Sequence, residues 1–196
     1  MGITGYGSGH DDVSSVREGD MVMVGGTIRA AGTNTLVGTL PKDRRPADRL
    51  VFNAHAGSVS TRVDVFPNGR IVWVNRKLHP SNDYLFLNGI NFEVGKAGTA
   101  LQLTNGWWNF GKDSAPATAT KVGNRVIVSG LIKGRSWGHL ATLPAGMCPA
   151  KKASYALNND VNTARVDVTP DCKITWISGD KSPNWISLNG ISFYTS

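Results

Sequence analysis

The chain has 196 residues, 40% of them hydrophobic, and its 21 basic and 14 acidic side chains give a formal net charge of +7. This length suits one large domain or two small ones, and the hydrophobic share is too high for a disordered tail. Only 18% of the residues are charged, which disfavours a helical bundle. No apolar run reaches the roughly 18 residues of a membrane-spanning helix. No secretory signal is visible at the N-terminus.

Five short segments in the first half of the chain are rich in β-branched or alternating apolar residues and are predicted to be strands. They are residues 22–28, 50–53, 62–65, 71–74 and 84–92. Pro67, Asn68 and Gly69 are a turn signal between the third and fourth segments, because glycine accepts a positive φ, so these two segments are predicted to form a hairpin. No window shows a helical period longer than two turns, and short strands separated by turns are typical of an all-β sandwich or jelly roll.

The same pattern returns in the second half of the chain as an internal repeat. Residues 22–28 match 126–132, 39–41 match 142–144, 62–69 match 165–172, 71–73 match 174–176, and 87–92 match 188–193. The offset falls only from 104 residues at Val22 and Val126 to 101 residues at Leu87 and Leu188. We also align residues 4–6 with residues 105–107. The sequence therefore predicts an all-β protein of two tandem small β-sandwich, jelly-roll-like domains, residues 1–95 and 96–196.

Some residues recur at matching positions in both copies. These repeat positions are Arg62, Asp64 and Trp73 in the first copy and Arg165, Asp167 and Trp176 in the second. Because residues two apart on a strand share a face, we expect each Arg–Asp pair to lie outside, with the intervening valines in the core. The pair is then either a polar recognition stripe or a structural ion pair. Both matching tryptophans are expected in the cores.

A further group of polar and aromatic residues lies in loop-like sequence of the second copy. Its members are Trp108, Arg135, Trp137, His139 and Trp185, which are the predicted ligand-binding residues. An exposed ring there can stack on a sugar, or it can pack at the boundary between the two copies.

The motifs of common enzymes and metal sites are missing from the sequence. There is no nucleophile elbow, no metal-binding pair of histidines and no phosphate-binding glycine loop, so no catalytic residue, metal or cofactor is predicted. Cys148 and Cys172 stand where the first copy has Arg45 and Gly69. One explanation for both differences is a disulfide bond that closes a loop of about 24 residues.

Basic residues cluster in corresponding parts of the two copies. These clusters contain Arg44, Arg45, Arg49, Lys133, Arg135, Lys151 and Lys152. A basic surface attracts polyanions. The basic residues are scattered across loops, and the common nucleic-acid-binding motifs are missing. An acidic polysaccharide or another polyanion is therefore the expected partner, with neither specific nucleic-acid binding nor membrane insertion.

The second copy carries an ordered series of short strings. They are Asn-Gly-Trp at 105–107, Val-Ser-Gly-Leu-Ile-Lys-Gly at 128–134, Thr-Leu-Pro-Ala-Gly at 142–146, Ala-Arg-Val-Asp-Val at 164–168 and Trp-Ile-Ser-Leu-Asn-Gly-Ile-Ser-Phe at 185–193. This series resembles the distal β module of bacteriophage tail fibres and receptor-binding proteins. The resemblance covers residues 100–193 and returns more weakly in residues 20–93. Cys148 and Cys172 depart from the Arg and Gly usual in that module.

The resemblance implies a non-enzymatic phage virion surface protein, as a tail-fibre tip, head fibre or decoration protein, that attaches to the host surface or decorates the particle. It further implies assembly in the host cytoplasm, exposure on the virion, contacts with other virion proteins, and a homo-oligomer, with a trimer among the expected forms. The alternative is a free-standing, lectin-like carbohydrate-binding protein.

Overall fold

The computed structural model describes residues 4–7, 9–29, 35–74 and 84–195, and it confirms the all-β prediction. The first half contains β1 (Thr4–Gly5), β2 (Ser14–Glu18), β3 (Met21–Gly25), β4 (Thr27–Arg29), β5 (Leu36–Thr39), a 3-10 helix (Lys42–Arg44), β6 (Leu50–Ala56), β7 (Val59–Val65), β8 (Arg70–Trp73), β9 (Tyr84–Phe86) and β10 (Ile90–Glu93). Within the described ranges, no helix is long and apolar enough to cross a membrane.

Twelve further strands follow in the second half of the chain. They are β11 (Thr99–Ala100), β12 (Gln102–Leu103), β13 (Trp107–Asn109), β14 (Thr118–Val122), β15 (Arg125–Ser129), β16 (Leu131–Gly134), β17 (His139–Thr142), β18 (Ala153–Asn159), β19 (Asn162–Val168), β20 (Lys173–Ser178), β21 (Trp185–Ser187) and β22 (Ile191–Tyr194).

The first half is a sandwich of two antiparallel sheets. One sheet has the order β1-β4-β9-β6-β7-β8-β5, and the other has the order β10-β3-β2. Phe52 and Trp73 from the first sheet share one buried hydrophobic cluster with Val22 and Phe92 from the second. The apolar faces of both sheets therefore meet in a single core. The predicted hairpin forms as β7 and β8, which are joined by the turn at residues 66–69.

The second half pairs its strands in the same order. The series β13-β16-β21 corresponds to β1-β4-β9, the series β17-β20-β19-β18 corresponds to β5-β8-β7-β6, and the series β14-β15-β22 corresponds to β2-β3-β10. Strands β11 and β12 are added to β14 and β17. A second buried cluster fills this half, although Ala115 belongs to the cluster of the first half. Because the halves share a core residue, the division at residues 95 and 96 stays a prediction.

Two of the predicted strands are each divided in two. Residues 22–28 form β3 and β4 in different sheets, and residues 84–92 form β9 and β10 in different sheets. Gly26 (φ 104°) and Gly89 (φ 102°) lie at the two crossings. A positive φ ends the extended run, so the chain passes from one sheet to the other.

The register of β1 corrects the alignment of residues 4–6. Thr4 pairs with Arg29 in β4 as Trp108 pairs with Lys133 in β16. The next backbone bond agrees, because Tyr6 donates to the carbonyl of Thr27 as Phe110 donates to that of Leu131. Tyr6 therefore corresponds to Phe110 and not to Trp107.

A seam of direct contacts joins the two halves, and we use that name for these contacts below. The Arg49 carbonyl accepts a hydrogen bond from the Ala115 amide (3.0 Å), and the Arg49 amide donates to the Asp113 carbonyl (2.9 Å). The buried carbonyl of Val51 accepts hydrogen bonds from Ser187 Oγ (2.5 Å) and Asn189 Nδ2 (3.1 Å). The seam thus satisfies buried backbone groups of both halves.

Candidate functional site

A cavity of about 490 Å³ opens on the second half, beside an exposed tryptophan. It is lined by Gly106, Trp108, Lys133, Gly134, Arg135, Ser136 and Asn184. We call it the Trp108 pocket. Trp108 is 60% exposed, which is unusual for so large an apolar side chain. An exposed ring beside a cavity is a common feature of ligand-binding surfaces.

Three chain segments build the pocket. Trp108 on β13 lies opposite Lys133 on β16, so the two side chains are cross-strand neighbours on one face. Gly134 keeps the strands close, because a Cβ there would lie 2.6 Å from the Trp107 ring and collide with the Gly106 carbonyl. The Asn184 carbonyl accepts the Gly134 amide at 2.9 Å, which holds the turn before β21 against β16.

The lining combines an aromatic surface with positive charge. Lys133 and Arg135 are both exposed, and no carboxylate belongs to the lining. An indole face stacks on the apolar face of a sugar ring, and Arg and Lys bind carboxylate, sulfate or phosphate groups by charge-assisted hydrogen bonds. The Asn184 side chain adds hydrogen-bonding capacity. The arrangement is suited to a saccharide that carries negative charge.

The structure brings some of the predicted ligand-binding residues together and separates others. Trp108 and Arg135 meet in the pocket. Trp185 lies next to Asn184, but its ring contacts Phe110 (6.3 Å between centroids) and the Arg62 guanidinium (5.2 Å) at the seam. The boundary-packing interpretation therefore describes Trp185.

The other two predicted residues have structural partners of their own. The Trp137 ring lies between those of Trp107 (5.0 Å) and Trp176 (5.5 Å). His139 Nε2 is within hydrogen-bond distance of the Ala141 carbonyl and of Thr142 Oγ1. Neither Trp137 nor His139 lines the pocket.

Five pocket residues were not among the predicted ligand-binding residues. They are Gly106, Lys133, Gly134, Ser136 and Asn184. The repeat itself carried the missing signal for Lys133, since the correct register of β1 and β13 places it opposite Trp108. Asn184 lies in a turn with φ 54°, and no local pattern connects that turn with residue 108.

The aspartates of the repeated Arg–Asp pairs do not lie outside as expected. Asp64 is 1% exposed and Asp167 is 4% exposed. Both nitrogens Nε and Nη2 of Arg62 donate to Asp64 at 2.7 Å, while Arg165 donates to Asp167 at 3.0 and 3.1 Å. The sequence alternation was misleading, because Asp64 is covered by Arg62 and Arg49, and Asp167 by Arg165 and Lys152.

These ion pairs shift ionisation in the expected directions. Burial of Arg62 opposes its charge, but hydrogen bonds and attraction to Asp64 and Asp160 outweigh that effect and raise the pKa of Arg62. Hydrogen bonding from Arg165 lowers the pKa of Asp167, helped by Ser154 and the charge of Lys152. Asp167 is therefore held as a carboxylate, and Asp64 is paired with the Arg62 guanidinium of its own half.

The two matching tryptophans are in different environments. Trp73 is fully buried and donates its indole N–H to Thr61 Oγ1 at 2.7 Å. Trp176 is only half-buried and packs against the outside of the second core cluster. Its indole nitrogen has no hydrogen-bond partner among the described residues, because Ala164 stands where the first half has Thr61. The Lys181 ammonium lies 4.3 Å from the Trp176 ring centroid.

Cys148 and Cys172 are joined by a disulfide bond, with their Cα atoms 4.8 Å apart. Cys172 has φ 66°, close to the φ of 87° at Gly69, its counterpart. In the first half, Arg45 fills the corresponding space and donates from Nε to the Leu40 carbonyl at 3.0 Å. Within the described ranges, no three His, Cys, Asp or Glu side chains are grouped as metal ligands.

No protein-family model and no curated protein matches the chain. Among solved structures, the receptor binding protein of Listeria phage PSA is similar at 28% identity, with a TM-score of 0.41. The similarity covers 51% of this chain and 65% of that chain. The matched region is therefore only part of either protein.

Proposed function

We propose that the chain is a non-enzymatic surface protein of a bacteriophage virion that helps the particle attach to its host. In this proposal the Trp108 pocket contacts an anionic glycan of the host surface. The chain is assembled in the host cytoplasm and is exposed on the particle, where it contacts other virion proteins. A tail-fibre tip, a head fibre and a decoration protein are the three expected positions.

The first support is the ordered series of strings in residues 105–193, which resembles the distal β module of tail fibres. Several of these residues have fold-defining roles that explain why the series is so regular. Gly130 (φ 132°) ends β15 next to Ala117, and Asn189 accepts a hydrogen bond from the Gly130 amide at 3.2 Å. Because these strings define a fold, they support membership of the module class. They do not indicate the ligand, which is inferred from the surface residues.

The second support, and the observation that carries the ligand proposal, is the composition of the Trp108 pocket. A 60% exposed indole and two exposed cations share a cavity of about 490 Å³. The pocket supplies no carboxylate pair of the kind that glycoside hydrolysis requires. Its residues are suited to holding a charged saccharide without cleaving it.

A free-standing lectin-like protein would use the same pocket, so the two functions are separated by location. Purified particles of the source phage would be probed with an antibody raised against the chain, using immunogold electron microscopy. We expect labelling at one defined site of the particle. A protein that is absent from purified particles, yet binds glycans, would favour the lectin and contradict the virion proposal.

The ligand proposal is tested with soluble polymers. We would measure binding of fluorescent polygalacturonate and dextran sulfate, with neutral dextran and mixed-sequence DNA as comparisons. Trp108→Ala should weaken binding of the charged polysaccharides about 10-fold or more, which corresponds to about 1.4 kcal/mol. Trp108→Phe keeps a stacking ring and should retain most of the affinity. Lys42→Ala, at an exposed position outside the pocket, is the matched charge control.

A further inference from the structure

The first half has a surface that corresponds to the second half's side of the seam. The His10 backbone amide donates to the Gly7 carbonyl at 3.1 Å, as the Ser114 backbone amide donates to the Gly111 carbonyl at 3.1 Å. The Thr27 amide donates to Asp11 as the Leu131 amide donates to Ala115. These matching bonds show that Asp11 occupies the place of Ala115, a residue at the centre of the seam.

This surface is uncovered in the first half. Ala115 is 7% exposed and Asn189 is 3% exposed, because the other half packs on them. Their counterparts Asp11 and Asn88 are both exposed. Between these counterparts lies a cavity of about 650 Å³, which we call the acceptor surface. It is lined by Asp11, Asp12, Ser14, Val16, Glu18, Met23 and residues on β10 and the turn before it.

Apolar exposure marks the same surface. Thr120, on the seam side of β14, is 9% exposed, whereas Val16, its counterpart on β2, is 48% exposed. Val16 therefore exposes an apolar side chain on the edge strand β2, and an exposed edge of this kind can pair with another chain.

The second half carries the complementary surface. The first half contributes Arg49, Val51 and Arg62 to the seam, and their counterparts are Lys152, Ser154 and Arg165. All three counterparts are exposed; the side chain of Arg165 is 51% exposed and that of Arg62 is 14% exposed. We call them, together with Lys151, the donor surface.

The donor surface keeps the geometry of the seam. Arg49 Nη1 lies 3.8 Å from Asp64 Oδ2, and Lys152 Nζ lies 3.8 Å from Asp167 Oδ2. Both surfaces are built from strands that correspond to those of the seam, and none of the described residues of the chain covers them.

The charges of the two surfaces are opposite. The acceptor surface presents Asp11, Asp12 and Glu18, whereas the donor surface presents Lys151, Lys152 and Arg165. Such complementarity steers association and excludes a face from pairing with another copy of itself. In the internal seam the corresponding positions include Ala115 on one side and Asp48 on the other, so this charge pattern is particular to the free surfaces.

We propose that a second copy of this chain is the partner, and that its donor surface docks on the acceptor surface of the first copy as the two halves dock within one chain. Lys152 of one copy lies against Asp11 of the next, and the Ser154 carbonyl accepts from the Asn88 amide. Arg165 lies over the Tyr84 ring, as Arg62 lies over Trp185. A contact between unlike faces repeats until the rotation closes a ring or continues as a filament.

Sedimentation velocity over a range of concentrations tests this assembly. The copies are not covalently linked, as the two halves of one chain are, so their association depends on concentration. The acceptor variant is Asp11→Lys with Asp12→Lys, and the donor variant is Lys151→Glu with Lys152→Glu. We expect the native chain to form oligomers that dissociate as salt is raised. Each variant alone should sediment as a monomer at concentrations at which the native chain is assembled.

An equimolar mixture of the two variants is the decisive sample. Each variant keeps one native surface, and the two reversed surfaces carry opposite charges, so the mixture should assemble at concentrations at which each variant alone is a monomer. Lys42→Glu with Arg70→Glu changes the charge as much as the donor variant, at exposed positions outside both surfaces, and should assemble normally. A native chain that stays monomeric, a variant that still assembles alone, or a mixture that stays monomeric would each overturn the proposal. Failure here leaves the polysaccharide binding of the Trp108 pocket unaffected.

Discussion

The two halves share a strand order but differ in how side chains complete it. The first half uses hydrogen bonds from Arg45 and Trp73 at positions where the second half has a disulfide bond and a tryptophan without such a bond. The backbone pairing survives these replacements, since it depends on the alternation of apolar residues and on turns. The two halves therefore share one backbone arrangement but differ in the side chains that complete it, and their exposed residues differ most.

The equivalent turns at Gly69 and Cys172 require the same backbone conformation, but the two halves surround it with different side chains. Both residues have positive φ. A Cβ at Gly69 would lie 2.6 Å from Arg45 Nε and 2.7 Å from the Leu40 carbonyl, so glycine is needed beside the arginine. In the second half, Cys148 and Cys172 stand at the positions of Arg45 and Gly69. Their disulfide bond replaces the arginine contact, and Cys172 keeps the strained positive φ.

The largest expected effect comes from breaking the disulfide bond. The bond spans 24 residues, and a loop of this size is expected to add about 3 kcal/mol to the free energy of unfolding. Reduction with dithiothreitol should therefore lower the stability of the second half, measured by urea denaturation followed by tryptophan fluorescence. The first half should keep its stability.

A variant with the first half's residues controls for the reductant. Cys148→Arg with Cys172→Gly should give the same denaturation curve with and without dithiothreitol. It should also be more stable than the reduced native chain, because the introduced glycine accepts the positive φ and the introduced arginine can reach the Leu143 carbonyl. Equal stability of oxidised and reduced native chains would show that the bond contributes nothing.

An intermediate effect is expected at the buried tryptophan of the first half. Thr61→Ala leaves the indole N–H of fully buried Trp73 without its 2.7 Å partner, which should reduce the free energy of unfolding by about 1–3 kcal/mol. Thr61→Ser keeps the hydroxyl and should lose less. The second half has Ala164 at this position. Ala164→Gly removes no side-chain hydrogen bond, so it should not reproduce this loss. Chemical denaturation of the variants measures the difference.

The smallest effect concerns the carboxyl of Glu93, which lines a cavity between the halves. Burial raises the pKa of Glu93, opposed by Thr120 and Lys96. The folded chain therefore holds a proton at pH values where the unfolded chain has lost it. Stability falls as the pH rises through the window between the unfolded and folded pKa values, and it stays lower above that window.

Glu93→Gln removes this dependence. The variant should be more stable than the native chain at pH 7, by less than about 1 kcal/mol because the site is partly solvated, and equally stable near pH 3. Thermal unfolding at both pH values measures the change, with Asp43→Asn at an exposed position as the control. A variant that loses stability at pH 7 would mean that the ionised carboxyl is stabilising.

The sequence predicted the features that depend on local pattern. The hairpin of β7 and β8 followed from alternation and from the turn before Arg70, and the all-β class followed from the short strands. The burial of Asp64 and the half-buried state of Trp176 could not be predicted. Both depend on neighbours distant in the chain, namely Arg49 and the ring of Trp137.

The candidate site was predicted in part for the same reason. Trp108 and Arg135 stood out as a large ring and a charge in loop-like sequence. Asn184 joins them only through its backbone bond to Gly134. Trp137 stands in the same kind of loop-like sequence as Trp108, so sequence alone could not separate the packed ring from the exposed one.

The central claim is that the second half carries a glycan-binding pocket that the first half lacks, and one comparison tests it directly. Lys133 and Arg29 occupy equivalent positions and are both exposed, but Lys133 lies opposite Trp108 and Arg29 lies opposite Thr4. We would measure the affinity of the chain for polygalacturonate after Lys133→Ala and after Arg29→Ala. The claim predicts that Lys133→Ala weakens binding several-fold while Arg29→Ala leaves it unchanged. Equal losses in both variants, or a loss only with Arg29→Ala, would contradict it.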